Sequence, residues 1–151
     1  MRAHIRPYIL GICLLTSFSS YTDIVITTPI AVGELIDKIT ILEIKQSRIT
    51  QAEKLYNVTV ELEMLQNIRT QSLIPSDDLE QLTTQLYQVN EKLWDIEDAL
   101  RDKERLRLFD DEFIQLARAV YYTNDKRCRI KRAINELYRS HIIEEKSYQA
   151  Y

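Results

Sequence analysis

Asn124, Arg127, Lys131 and Asn135 follow one another at steps of three or four residues, so on a helix they line one stripe. Cations and amides in such a row can hold an anion: guanidinium and ammonium groups supply charge, and an amide orients the ligand. In that reading Arg118, Arg127 and Lys131 hold an anionic metabolite and Asn124 orients it. If the stripe faces other helices instead, each group needs a partner, because an unpaired buried charge costs several kcal/mol. The acids of the preceding helical segment are the nearest supply, and the result is then a salt-bridged seam.

A second cluster is Trp94-Asp95-Ile96-Glu97-Asp98. Asp95 and Asp98 stand three apart on one helix face, a spacing that serves acid/base work or the counter-charge of a bound cation. The alternative is a solvated acidic face with Glu97 paired to Arg101 four residues on, and Trp94 anchored at the edge of the core. The basic run Lys126 to Arg132 could touch phosphates, but no interleaved aromatics suit stacked bases, so nucleic acid is not the expected partner. The two histidines, His4 and His141, sit near the chain ends, and no metal or cofactor is expected. A phosphate-cradling glycine loop and a nucleophile with a nearby histidine are both missing.

Long helices must position these groups. Leu79, Leu82, Leu86, Val89, Leu93, Ile96 and Leu100 repeat at alternating three- and four-residue steps, a heptad seam of the coiled-coil kind. Ser76 is a good N-cap ahead of it, with Pro75 blocking continuation from the previous segment. That previous segment is expected to be one helix from Pro29, capped by Thr28, to about Thr70. Its apolar face, Leu35, Ile39, Leu42, Ile49, Ala52, Leu55, Val58, Leu62, Leu65 and Ile68, shifts register between Ile49 and Leu55. Gly33, near its start, marks a close approach of another backbone or a frayed first turn. Asp110 restarts the chain as N-cap of a third helix carrying Phe113, Ala117, Val120, Ile130, Ile134 and Leu137.

With 151 residues, two glycines and three prolines, the chain is expected to form one all-α domain over residues 23–151. The architecture expected is a long antiparallel, coiled-coil-like helical hairpin with a third helix packed back on one end. The formal charge of −3 gives no electrostatic footprint for nucleic acid. Cys13 and Cys128 imply no disulfide framework.

Residues 1–22 read in two ways. Arg2 and Arg6, the apolar run Ile9–Leu15 and the small residues Ser17 and Ser19 follow the pattern of a signal peptide cleaved near Ser19, and hence of export. The run is too short to span a bilayer, which takes about 20 residues. The favoured reading is an extension on a cytoplasmic protein.

Five ordered blocks, Val32–Lys45, Leu93–Asp98, Ala117–Arg127, Lys131–Asn135 and Glu144–Tyr148, resemble a bacterial family of short helical proteins that carries a domain of unknown function. The resemblance implies a helical fold and no established activity. Members of that family begin close to the position of Ile24, which is what favours the cytoplasmic reading. A weaker similarity, to the all-helical chorismate mutases, rests on Leu35, Ile39 and Arg48; the clamping arginine of those enzymes falls at Ile36 here.

The functional expectation is a non-enzymatic interaction or assembly protein, associating with itself or a partner protein through Leu86, Val89, Leu93 and Ile96. The alternative is a helical bundle binding an anionic metabolite through Arg118, Asn124, Arg127 and Lys131.

Overall fold

The computed structural model describes residues 24–147; the signal-like or extension segment 1–22 lies outside them. Four helices follow in order: α1 Val32–Arg48, α2 Ala52–Ser72, α3 Asp77–Leu106 and α4 Asp111–Leu137. The protein is all-α, with no strand among the described residues.

The caps read from sequence hold at α3 and α4. Ser76 Oγ accepts from the Leu79 N–H at 3.2 Å, and Asp110 Oδ1 accepts from the Phe113 N–H at 3.0 Å. Each satisfies a donor that the first helical turn leaves without an intrahelical partner, and acids in both first turns suit the helix dipole. α1 departs from expectation. It begins at Val32, behind Ala31, which offers no side-chain cap. Its first free N–H groups are taken up by α4 and the chain beyond it: Gly33 N donates to Asn135 Oδ1 at 2.6 Å and Val32 N to Ser140 Oγ at 3.3 Å. The cap is tertiary, so Thr28 and Pro29 do not set the start.

The single helix expected from Pro29 to Thr70 is two helices. Ile49 and Gln51 are extended, and α2 folds back antiparallel on α1. The register shift at Ile49 is the cause. Turning there lets Leu35, Ile39 and Leu42 pack on Val58 and Leu62 in one cluster, which a straight helix would hold apart. A second cluster joins Ile36 of α1, Leu79, Leu86, Val89 and Leu93 of α3, and Ile130 and Ile134 of α4.

α4 runs the full length of α3 rather than covering one end. Lys103 bridges Asp110 and Glu112 at the turn, while Tyr138 Oη donates to the Ile74 carbonyl at the opposite end. α1 lies against all three other helices, whereas the backbone of α2 approaches α1 alone. The heptad seam is therefore filled from within the chain. Leu86, Val89, Leu93 and Ile96 are no more than 7% exposed, and the expected self-association through them is corrected: they form the intrachain core.

Candidate functional site

The site starts from Gly33. Any Cβ at this position would collide with the Lys131 carbonyl, so α1 and α4 meet here backbone to backbone and glycine is required for the approach. That closeness brings the polar stripe of α4 onto the first turns of α1.

Three layers of contacts follow down the junction. Asn135 caps Gly33. Lys131 Nζ, on a side chain 9% exposed, donates to Glu34 and, at 2.9 Å, to Glu144 of the segment after α4. Arg127 meets Asp37 in a two-pronged contact, Nε to Oδ1 at 2.8 Å and Nη2 to Oδ2. Asp37 is 1% exposed, so its carboxylate needs donors on every side. Asn90 of α3 supplies one more, Nδ2 donating at 2.9 Å to Asp37 and at 3.0 Å to Thr40 Oγ1. Thr40 in turn donates to the Asp37 carbonyl at 2.9 Å, which closes a network across α1, α3 and α4.

The charges are held in place by these partners. The hydrogen bond it donates to Asp37 raises the Arg127 pKa against the opposing effect of burial. Burial disfavours the Lys131 ammonium, but hydrogen bonds to Glu34 and Glu144 outweigh it, and the pKa lies above the ordinary lysine value. The Lys131 contact holds the Glu144 pKa below the usual carboxylate range. Both cations stay protonated at neutral pH, so neither is poised as a general acid or base there.

The structure joins some of the residues singled out from sequence and separates others. Asn124, Arg127 and Lys131 line one cleft of about 240 Å³ together with Glu34, Glu144 and Lys146. Arg118 is apart from it, with its guanidinium over the Tyr122 ring and 3.3 Å from the Tyr122 hydroxyl. Trp94 and Glu97 line a separate cleft of about 220 Å³ with Lys45, Asn90 and Arg127. Asp95 is bound by Arg48, whose guanidinium also lies 5.7 Å from the Trp94 ring centre. Asp98 and Glu97 pair with Arg101, the intrahelical arrangement expected of a solvated face. Among the described residues no three His, Cys, Asp or Glu side chains converge as a metal site.

A salt-bridged seam exists, but its acids are not those expected. The partners of the α4 stripe are Glu34 and Asp37 on α1 and Glu144 beyond α4, rather than the acids of α3. Asp37, Thr40 and Asn90 were missed as site residues. The available signal was their position: Asp37 lies between Ile36 and Ile39 on the apolar side of α1, and Asn90 follows the seam residue Val89.

Fold and site together define a small all-α protein whose helices meet at an ion-paired polar junction. The chain belongs to the family of unknown function DUF6165, which matches it over residues 26–151. No curated protein and no solved structure matches it. The resemblance to an uncharacterised family thus holds, while a likeness to chorismate mutases is not found. Arg48, on which that likeness rested, is engaged with Glu91 and Asp95.

Proposed function

We propose that this protein is a non-enzymatic assembly module that pairs with a second copy of itself through α2. The observation that carries the reading is that α2 is apolar on two opposite sides. Val58 and Leu62 are buried against α1, while Tyr56, Val60, Met64 and Ile68 are 40 to 70% exposed on the far side. These four stand four residues apart, which makes one ridge along the helix. A contiguous exposed apolar ridge rimmed by polar residues marks an interaction surface.

The second copy is the occupant favoured by the symmetry of the ridge. In a two-fold arrangement, where residue i of one copy meets residue j of the other, j of the first also meets i of the second. With two α2 helices antiparallel and the axis between Val60 and Met64, Tyr56 faces Ile68 and Val60 faces Met64. The flanking positions then set Asn57 against Asn67 and Glu53 against Gln71, with no like charges opposed at those pairs. Glu61 falls opposite Glu63 only at the rim, and its charge is already compensated by Lys38 at 2.6 Å. A helix of this length is about 30 Å long, so the contact falls near the lower end of specific interfaces, about 1,200 Å² in total. Association that depends on concentration is the consequence.

Light scattering on the full chain tests it. The mass should rise from one copy to two with concentration, and Val60→Glu with Met64→Glu should hold it at one copy while leaving the helix content intact. A wild-type chain that remains single at every concentration, or a doubly substituted chain that still pairs, overturns the reading.

A further inference from the structure

The segment after α4 sits on cations through carboxylates. Glu144 accepts from Lys131 at 2.9 Å and the Glu145 carboxylate lies 3.5 Å from Arg132 Nη1. Residues 141–147 have no helix or strand and are exposed throughout, including Ile142 at 39% and Ile143 at 46%. Apolar burial therefore does little to hold the segment; polar contacts with α4 do.

Beneath it run two clefts, of about 240 and about 170 Å³, and both are lined by Cys128, Lys131, Glu144 and Lys146. The two clefts share these four residues and adjoin as one trough on α4. Glu34, Asn124 and Arg127 complete the lining of the larger cleft, and Arg129, Arg132 and Asn135 that of the smaller. Lys131 has Glu34 as a second partner, so its charge remains compensated when Glu144 leaves. Arg132 keeps Glu136, one turn on, at 3.2 Å. Each cation therefore keeps one acid partner when the segment leaves, and the N–H donors that had met Glu144 and Glu145 become available to another anion.

We propose that this trough is a binding site for small polyanions, dicarboxylate or polyphosphate, and that Glu144 and Glu145 occupy it as the chain's own internal ligands. Two adjacent carboxylates already rest on two adjacent cations, which is the pattern a small dianion would reproduce. Lys131 and Arg132 bind it, Asn124 and Asn135 offer amide donors along the walls, and the C-terminal segment competes with it. A segment docked about nine-tenths of the time lowers the apparent affinity about tenfold.

Calorimetric titration of the full chain with inorganic pyrophosphate and with succinate, at low salt, tests the assignment. Glu144→Gln with Glu145→Gln removes the competing charges at nearly constant volume and should tighten binding about tenfold over wild type. Adding Lys131→Met, or the exposed Arg132→Gln where the first substitution lowers the helix content, should abolish that gain. A gain for succinate alone assigns the site to dicarboxylates, and one for pyrophosphate alone to polyphosphates. No gain with either ligand, or a gain that persists without Lys131 or Arg132, overturns the proposal.

Discussion

α1 and α2 are consecutive helices of 17 and 21 residues, yet their environments differ sharply. Eight residues of α1 are buried, among them Asp37 and Thr40, against only Val58 and Leu62 of α2. Hydrophobic content does not explain this, since Tyr56, Val60, Met64 and Ile68 of α2 are left exposed. Position does: α1 is enclosed by three helices, whereas the backbone of α2 approaches only α1 and an ion pair, Arg69 to Glu80, ties it to α3. Burial on all sides forces the polar groups of α1 to find partners, and the charged network of the molecule accordingly collects around its first turns. A helix with one neighbour keeps the freedom to take another.

Substitutions along the two helices can break or sharpen that contrast. The largest effect is expected for Asp37→Ala, which strands the Arg127 guanidinium in the junction; a loss of about 3–5 kcal/mol in urea unfolding is expected. Ile39→Ala, at a fully buried position, should cost about 2–4 kcal/mol by opening a cavity between α1 and α2. Gly33→Ala must push α4 away from α1, and despite the better helix propensity of alanine a loss of about 1–3 kcal/mol is expected from thermal or urea melts. Val60→Ala on the outer side of α2 should change the stability of a single copy by no more than about 0.5 kcal/mol. If Val60→Ala proves as costly as Ile39→Ala in the single-copy state, the contrast between the two helices fails.

The smallest effects are those of pH, and the two shifted carboxylates Glu43 and Glu144 act with opposite signs. Glu144 has a folded pKa below its ordinary 4.5, lowered first by the hydrogen bond from Lys131, so its contribution is present above pH 4.5 and is lost as pH falls through the folded value. Lys131 is raised above 10.5, and its contribution is complete below that pH and lost as pH climbs through the folded value. Glu43, on the α2 side, is raised above 4.5, chiefly by burial; its proton favours the folded state at low pH, and that stabilisation fades as pH rises through the folded value. Glu43→Gln should therefore remove a loss of stability with rising pH above pH 4.5 and so steepen the acid limb there, while Glu144→Gln should remove a gain with rising pH below pH 4.5 and flatten it. Urea midpoints measured from about pH 3 to about pH 6 separate the two.

Much of the architecture was legible because it is encoded within a few residues. Ser76 and Asp110 cap helices through the N–H three positions on, and the seam from Leu79 to Leu100 announces a long buried face. Gly33 left a close approach or a frayed first turn open, and the structure shows the close approach, where nothing larger fits. The polar stripe Asn124, Arg127, Lys131 and Asn135 was also visible as a row in need of partners. Its partners were not visible, since Asp37 and Arg127 lie 90 positions apart in the chain and acids abound on every helix.

The amino-acid sequence by itself determined the all-α class, the caps of α3 and α4 and the faces that had to be buried, because helix period and capping act over one or two turns. Only the tertiary structure decided that the chain turns at Ile49, that α1 and α4 fill the α3 seam, and that the α4 cations rest on α1. Those choices depend on which apolar faces fit one another in three dimensions and on which carboxylates that fit carries within hydrogen-bond reach, and helical spacing contains neither.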